Sequence, residues 1–349
     1  MFDIAYEQFK ITNKIRLIEL FAGVGSQAMA LRNIGADMEH HRLVEWDKYA
    51  MLAYNAVHGT DFTTSDITKV KGEDLGITDT EEYTYIMTYS FPCQDLSLAG
   101  KRQGMTKGGK TRSGLLWEVE RLLKETKELP QVLLMENVPQ VIGKGNINDF
   151  REWQYFLESL GYMNYTQVLN AKHYGVAQNR ERCFMVSILG EYSYNFPEPI
   201  KLTKTIADYL EDEVEEKFYI KGEKADKLIE QLIEKGQLEG RVVGNISNTN
   251  HGGGDVYNTH TEAPTILARD YKDPIKIAFE ERTDEGVRTF KDGCMGTIRT
   301  ISEGGDKRIA EVKRLGNLYG EDKGTGYAGN VWDKDGLSPT LNTMQGGNR

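Results

Sequence analysis

Cys93 is the residue of this sequence that is best placed to act as a nucleophile. It follows Pro92 after the apolar run YTYIMTYSF (83–91) and precedes the segment AGKRQGMTKGGKTRSG (99–114), which has five basic residues and no acidic one. A thiol attacks as the thiolate, which a partly exposed and electropositive setting favours. A buried structural cysteine is the commoner case. The position between a strand end and a basic, glycine-rich loop nevertheless favours nucleophilic chemistry.

Two polar residues follow a second apolar run. Glu136 and Asn137 come directly after VLLM (132–135). A carboxylate at this position is expected at a functional strand end rather than inside a core. The neighbouring amide can both donate and accept hydrogen bonds.

The segment AQNRERCF (177–184) has polar residues at alternate positions as it enters a strand-like run. Gln178, Arg180 and Arg182 are spaced by two, which predicts that their side chains share one face of a strand. Taken alone, this pattern is also that of a solvated strand edge.

The motif FAGVGS (21–26) follows a predicted strand and opens a predicted helix. Its two glycines permit a tight turn and a close approach of the backbone to a ligand. Glu45 lies about twenty residues after Gly25, where an acidic group can accept hydrogen bonds from ribose hydroxyls. The third glycine of the dinucleotide fingerprint is absent, so a nicotinamide cofactor is weakly supported. An ordinary tight turn remains the alternative.

Alternating strand-like and helix-like segments separate these motifs in the first 190 residues. Apolar runs predict strands at 15–22, 41–46, 83–91, 131–138 and 182–189, and apolar periodicity predicts helices at 26–35, 113–126 and 150–161. This alternation predicts an α/β fold with a mostly parallel sheet and helices on both faces. Ligands of such folds bind at the carboxyl ends of the strands, which is where the motifs lie.

The sequence changes in character after residue 190. KADKLIEQLIEKG (224–236) predicts one amphipathic helix, and residues 243–273 and 315–347 share a pattern, with a shorter copy at 296–308. Duplicated hairpins in a small β-rich domain explain this repeat. Hairpins that present side chains to a large polar ligand are the functional alternative. We therefore predict two domains, residues 1–195 and 196–349.

Composition limits the class of protein further. No apolar run reaches the roughly 18 residues of a membrane span, and the N-terminus lacks the layout of a signal peptide. Cys93, Cys183 and Cys294 are too scattered for a disulfide framework or a cysteine-rich zinc site. We predict a soluble, reduced, cytoplasmic protein. The net charge of −10 argues mildly against nucleic-acid binding, although a DNA enzyme needs only a local basic surface.

Taken together and in this order, the motifs resemble those of the DNA cytosine-5 methyltransferases of bacteria and phages. The matching blocks are Phe-Ala-Gly-x-Gly, an acidic strand end, Pro-Cys-Gln-x-x-Ser, Glu-Asn-Val and Gln-x-Arg-x-Arg, over residues 15–189. GLSPTLNTMQGG (336–347) resembles the block that follows the family's variable recognition region. The resemblance implies a Rossmann-like methyltransferase domain with a smaller β-rich target recognition domain, and a role in DNA methylation of the restriction-modification type.

The resemblance also implies a mechanism. Cys93 would add to C6 of a flipped-out cytosine in duplex DNA, which makes C5 nucleophilic toward a methyl group. Glu136 would hold the N3 and amino edge of the base, and Arg180 and Arg182 would brace the base and the adjacent phosphate. Glycines of the basic loop would allow it to close over the DNA.

Two sets of binding residues follow from the same resemblance. The methyl donor is S-adenosyl-L-methionine, which leaves as S-adenosyl-L-homocysteine without a metal, and its pocket is lined by Phe21, Gly23, Gly25, Glu45, Trp46, Asp66, Ile67 and Pro92. The DNA is contacted by Gln94, Ser97, Lys101, Arg102, Lys107, Lys110, Arg112, Asn137 and Gln178.

The resemblance is incomplete at the C-terminus. Members of the family usually end with a helix that bears a Gly-Asn pair, whereas this sequence stops at GGNR (346–349). Three explanations are open: a truncated chain, one part of a split enzyme that a separate C-terminal piece completes, or a chain with reduced cofactor affinity. We otherwise expect a monomer. An RNA cytosine-5 methyltransferase, and a DNA-binding protein of the same fold without turnover, remain as alternatives.

Overall fold

The computed structural model describes residues 6–96, 104–109, 111–210, 222–235, 240–246, 254–265, 276–282, 286–288, 306–311, 316–317 and 330–331. They form two compact units. The first unit contains the chain up to Leu169 and the segment Glu181–Glu198, and the second contains Asn170–Arg180 and the described residues from Pro199 onward. Cys294 and the block at 336–347 lie outside the described residues, as do most of the predicted repeats.

A six-stranded sheet is the centre of the first unit. Its strands are β1 (Ile15–Leu20), β2 (Met38–Val44), β3 (Thr84–Tyr89), β4 (Val132–Asn137), β5 (Tyr162–Asn170) and β6 (Glu181–Leu189). They are arranged in the order β2-β1-β3-β4-β6-β5. The first four in this order are parallel, and β6 is antiparallel to β4. The predicted mostly parallel sheet is confirmed.

The sheet is covered on both faces, and alternate residues of β1 show this directly. Ile18 and Leu20 belong to the main apolar cluster, whereas Ile15 and Leu17 belong to a second cluster with Ala28. Successive side chains of a strand point to opposite faces, so helices must cover both sides. All six residues of β3 are buried, as expected for a strand in the middle of a covered parallel sheet.

The helices of the first unit are α1 (Ser26–Asn33), α2 (Lys48–His58), α3 (Leu116–Glu125) and α4 (Ile147–Ser159). The sequence predicted three of them but not α2. Its signals were present: the Asp47 side chain caps the backbone N–H groups of Tyr49 and Ala50, and Gly59 ends the helix in the left-handed conformation. These are typical start and stop residues of a helix.

Strand β5 was also missed, because its pattern is that of an edge strand. Only Tyr162 and Asn170 are buried at its two ends, and the residues between them are partly or fully exposed. A strand of mixed polarity lacks the continuous apolar run by which the other strands were predicted.

The second unit contains the helix α5 (Glu223–Lys235) and short strands. The strands β7 (Val242–Asn245), β8 (Asp255–Asn258), β9 (Lys276–Arg282), β10 (Gly286–Arg288) and β11 (Asp306–Glu311) form one sheet, and β12 (Gly316–Asn317) pairs with β13 (Asn330–Val331). Within the described part of the chain, no helix has both the length and the apolar character needed to cross a bilayer.

Candidate active site

Three of the predicted motifs meet at one edge of the central sheet. FAGVGS follows β1, SFPC follows β3, and Glu136 and Asn137 end β4. The strands β1, β3 and β4 are neighbours, with Leu20 beside Tyr89 and Tyr89 beside Met135. Since all three strands are parallel, their carboxyl ends lie on the same side, where α/β folds bind their ligands.

The turn after β1 has a backbone that only glycine tolerates at one position. Phe21, Gly23 and Gly25 all have positive φ angles, of 58°, 58° and 80°. A Cβ atom on Gly25 would lie 2.4 Å from Nε2 of His58 and 2.5 Å from Cε2 of Tyr54. The turn therefore lies directly on α2, and Gly25 is required both for its conformation and for its lack of a side chain.

The side chain of Glu45, which follows β2, is hydrogen-bonded to this turn. Its carboxylate accepts the N–H of Gly23 at 2.8 Å and the N–H of Asp47 at 2.8 Å. The residue is only 7% exposed, and this burial raises the pKa of the Glu45 carboxyl above its ordinary value, against the effect of the backbone hydrogen bonds. The adjacent Trp46 is 73% exposed. A buried acceptor and an exposed indole ring thus stand side by side next to the glycine turn.

The segment that contains Asp66 and Ile67 passes close to Glu45. The N–H of Ser65 donates to the Glu45 carbonyl at 2.8 Å. Asp66 accepts hydrogen bonds from the backbone and the hydroxyl of Thr68, at 3.0 and 2.8 Å. Ile67 is buried. This arrangement brings two more of the predicted cofactor residues to the turn.

Cys93 lies on the short segment that follows β3. Phe91 and Pro92 are buried, whereas Cys93 is half-buried and packs against the edge of the main apolar cluster. Cys183 differs: it is fully buried on β6, and burial, together with the nearby Glu136 charge, raises the pKa of its thiol to about 12. Of these two thiols, only Cys93 is in a setting that permits reaction with a substrate.

Two side-chain hydrogen bonds hold the three motifs together. The amide of Asn137 donates to the carbonyl of Phe91 at 3.0 Å, which joins the end of β4 to the segment that contains Cys93. The amide of Gln27, on α1, donates to the hydroxyl of Ser90 at 3.0 Å. Asn137 is only 2% exposed, so its side chain serves the interior of the protein, where we had predicted a contact with DNA.

Glu136 and Arg182 form an ion pair across β4 and β6. Nε of Arg182 lies 2.9 Å from Oε1 of Glu136, and both side chains are largely but not fully buried. A charge-assisted bond of this length strongly restricts the direction of a carboxylate.

Arg180 and Gln178 belong to the second unit. Strand β6 begins at Glu181, so Gln178 and Arg180 precede the strand, and their shared face with Arg182 stays a prediction. The N–H of Arg180 donates to the Asn170 side chain at 3.1 Å, and its carbonyl accepts the N–H of Ala171 at 2.9 Å. Gln178 and Arg180 are 5% and 6% exposed.

The basic segment is described only in part. Ser97, Lys101, Arg102 and Lys110 lie outside the described residues. Arg112 is exposed and its guanidinium donates to the Gln94 side chain at 2.5 Å. Lys107 forms an ion pair with the buried Glu120 of α3 at 2.6 Å, and its ammonium lies 4.7 Å from the centre of the Trp117 ring. Lys107 is therefore bound to the protein itself.

A cluster beneath the glycine turn was not predicted. Glu19 of β1 accepts the Tyr54 hydroxyl at 2.5 Å and the N–H of Ala28 at 3.3 Å. Nδ1 of His40 lies 2.6 Å from the same hydroxyl oxygen, and Nε2 of His58 lies 3.0 Å from the carbonyl of Val24. The signal in the sequence was an acidic residue inside the apolar run IRLIEL (15–20). Glu19, His40, Tyr54 and His58 thus form one cluster beneath the glycine turn.

Comparison with known proteins matches most of the chain to one family. Residues 15–310 match the family of C-5 cytosine-specific DNA methylases. The chain is 33% identical over 320 residues to the orphan methyltransferase M.SssI of Spiroplasma monobiae, which covers 76% of this chain and 82% of the relative. It is also 33% identical over 267 residues to the type II methyltransferase M.NlaX of Neisseria lactamica, covering 76% and 79% of the two chains.

Solved structures agree at the level of the fold. The chain is similar to the Dnmt2 methyltransferase of S. pombe, with a TM-score of 0.54 and 16% identity over 80% of this chain and 83% of that one. The methyltransferase EhMeth of Entamoeba histolytica gives a TM-score of 0.55 and 14% identity over the same shares.

Proposed function

The chain belongs to the C-5 cytosine-specific DNA methylase family, and from this premise we propose that it methylates C5 of cytosine in duplex DNA through a covalent bond between Cys93 and C6. The observation that carries the proposal is the hydrogen bond from Asn137 to the Phe91 carbonyl. It ties the strand end that bears Glu136 to the segment that bears Cys93. A nucleophile and a carboxylate are thereby presented at one edge of the sheet.

The reaction needs Cys93 because C5 of cytosine is a weak nucleophile. The Cys93 thiolate adds to C6, and the electron pair of the C5–C6 double bond moves toward C5. C5 then takes the methyl group with its electron pair, and the S–CH3 bond of the donor breaks with its pair left on sulfur, so that S-adenosyl-L-homocysteine is the leaving group. C5 afterwards loses its proton to a base. The electron pair that remains re-forms the double bond and expels the Cys93 thiolate. Each step balances without an external oxidant or reductant.

In this proposal, Glu136 binds the base and Arg182 orients the Glu136 carboxylate. The Glu136 carboxyl faces N3 and the exocyclic amino group of the base and stabilises the charge that develops in the ring. Arg182 holds one carboxylate oxygen at 2.9 Å and so fixes its direction. Arg180, which we had grouped with Arg182, is proposed to brace the DNA from the second unit.

The residues beside the glycine turn fit the methyl donor that the family implies. A carboxylate has about four lone-pair sites, so Glu45 can accept a ribose hydroxyl in addition to its backbone partners. Trp46 exposes a flat ring suited to an adenine. S-adenosyl-L-methionine supplies, when bound, an electrophilic methyl group. Further members of the proposed pocket are Phe21, Gly23, Gly25, Asp66, Ile67 and Pro92.

Among the described residues, we favour Gln94 and Arg112 for contact with DNA. Gln94 directly follows Cys93, and Arg112 is an exposed residue near the end of the basic segment whose guanidinium donates to Gln94. The buried Asn137 instead donates to the Phe91 carbonyl, and the exposed Lys107 pairs with the buried Glu120, so we assign both residues positioning roles. Gln178, Ser97, Lys101, Arg102 and Lys110 remain proposed contacts. Residues 196–349 are the proposed target recognition domain.

A covalent trap tests the proposal. Duplex DNA that contains 5-fluorocytosine is incubated with the protein and S-adenosyl-L-methionine, and adducts that resist denaturation are separated on a gel. Fluorine cannot leave C5 as a proton does, so the Cys93 adduct should accumulate. Cys93→Ala should form none.

Cys183→Ala is the matched control, because it removes the other described thiol of the first unit, whose pKa is raised to about 12 by burial. It should form the adduct at the rate of the wild type. Methylation of ordinary DNA by Cys93→Ala, or turnover by the wild type without a trapped adduct, would contradict the assignment.

A further inference from the structure

The two ends of the basic segment meet beside Cys93. The Asp95 carboxylate accepts the backbone N–H of Arg112 at 2.8 Å and that of Ser113 at 3.2 Å. The Ser113 hydroxyl donates to the carbonyl of Pro92 at 2.6 Å. The chain therefore returns, after an excursion of about fifteen residues, to the segment from which it left.

The two contacts made by Ser113 are buried, whereas Cys93 is only half-buried. Ser113 is 0% exposed and Asp95 is 8% exposed. A hydrogen bond in such a setting is stronger than in water, and its loss leaves a buried polar group unsatisfied. The carbonyl of Pro92 belongs to the peptide unit that joins it to Cys93, so the Ser113 hydroxyl holds that peptide plane in place.

Two further contacts anchor the same region. The N–H of Gly104 donates to the Asp95 carbonyl at 3.2 Å, and the Arg112 guanidinium binds the side chain of Gln94, the residue after Cys93. The peptide before Cys93 and the side chain after it are thus both bound by the returning chain.

We propose that Asp95 and Ser113 form a clasp, which we name the loop clasp, that sets the direction of the Cys93 thiol toward the base. Neither residue touches the reacting atoms, so both are positioning residues. The inference rests on the proposed function and adds to it a pair of residues outside the nucleophile and the carboxylate. A misplacement of a reacting group by about 1 Å can lower a rate by two orders of magnitude.

The clasp makes a specific kinetic prediction. Ser113→Ala should lower kcat and the rate of adduct formation with 5-fluorocytosine DNA by about tenfold, while the KM for DNA and the affinity for S-adenosyl-L-methionine change little. Asp95→Asn, which keeps an acceptor oxygen, should fall between the wild type and Asp95→Ala. Such a graded series is expected of a positioning group.

Ser187→Ala is the matched control. Ser187 is also 0% exposed, and its hydroxyl donates to the Asn164 side chain at 2.6 Å, but it lies on β6 and not on the Cys93 segment. It should lower the thermal midpoint about as much as Ser113→Ala does, with kcat unchanged. If Ser113→Ala does not fold, the comparison of Asp95→Asn with Asp95→Ala tests the loop clasp.

The outcomes separate this inference from the one on which it depends. No adduct with the wild type overturns the covalent mechanism and, with it, the clasp. A wild-type adduct, with Ser113→Ala and both Asp95 variants equally fast, overturns the clasp alone. If Ser187→Ala loses as much kcat as Ser113→Ala, the loss in Ser113→Ala comes from general destabilisation, and the loop clasp is overturned.

Discussion

At the scale of single residues, the surroundings of a side chain decide what it can do. Cys183 and Cys93 belong to the same unit, but burial raises the pKa of the Cys183 thiol to about 12, while Cys93 lies half-buried on the segment after β3. Glu19 shows the same effect for a carboxyl group. Burial raises its pKa to about 7, against the opposing hydrogen bond from Tyr54.

Glu19 predicts a pH dependence of stability. Its pKa is about 7 in the folded protein against an ordinary value of 4.5, so the folded state binds more protons between these two pH values. The free energy of unfolding therefore falls as pH rises through this window. Glu19→Gln should abolish this loss, which amounts to about 3 kcal/mol at most. Denaturant unfolding of both proteins from pH 5 to 8 measures it.

The neighbouring His40 and His58 also make stability depend on pH, and their contribution must be separated from that of Glu19. Burial lowers the pKa of His40 and of His58, so their contribution has the opposite sign: stability rises with pH up to about 6.5. They are present in both proteins, and the difference between the two curves isolates Glu19. A difference that does not change between pH 5 and 8 would show that Glu19 does not titrate in this range.

At the scale of elements, the conformation of the glycine turn between β1 and α1 depends on packing against α2. Tyr54 and His58 of α2 contact the turn from below, and Asp47 joins the start of α2 to Glu45. The first and second strands are thus coupled through one helix that the sequence analysis did not predict. A substitution in α2 should therefore affect the proposed cofactor pocket.

Gly25→Ala tests this coupling. The substitution forces a side chain into a left-handed backbone and into contact with Tyr54 and His58. It should destabilise the protein by more than the roughly 1–2 kcal/mol of the backbone term alone and abolish binding of S-adenosyl-L-methionine. Thermal unfolding and calorimetric titration with the cofactor measure the two effects.

Gly35→Ala is the matched variant, because its φ is +72° but nothing lies within 4 Å of a Cβ at that position. It should show the backbone term only and retain cofactor binding. Equal effects of the two substitutions would mean that the contact with α2 does not matter.

At the scale of the whole molecule, DNA binding must overcome a net charge of −10. The basic segment is the local exception, but its members are not equivalent. Lys107 neutralises the buried Glu120, whereas Arg112 is exposed and contacts a neutral side chain. Counterion release requires that a cation meet a phosphate, and Lys107 would first have to leave Glu120 to do so.

Arg112→Gln should therefore reduce the slope of log K against log salt by about one unit. Lys107→Gln should leave that slope unchanged and instead lower the thermal midpoint, because Glu120 loses a partner in a buried position. Titrations of labelled duplex DNA at several salt concentrations measure the slopes. An equal reduction by Lys107→Gln would mean that Lys107 leaves Glu120 to meet phosphate.

The sequence by itself determined the elements and the motifs they carry. Five of the six central strands and three of the four helices of the first unit could be predicted, because apolar periodicity is a local property. The positions of Cys93, Glu136 and the glycine turn at strand ends followed from the same periodicity. Strand β5 and helix α2 were missed, since β5 mixes polar and apolar residues without a continuous apolar run and α2 is marked mainly by its caps.

Only the tertiary structure decided which side chains meet. Tyr54 and Glu19 are 35 residues apart, and Ser113 and Pro92 are 21 apart. No local pattern links such pairs, because a hydrogen-bond partner is chosen by the packing of whole elements. For the same reason, tertiary structure assigned Lys107 to Glu120 and Asn137 to the Phe91 carbonyl. The family resemblance predicts a DNA contact for both residues, and this stays a prediction.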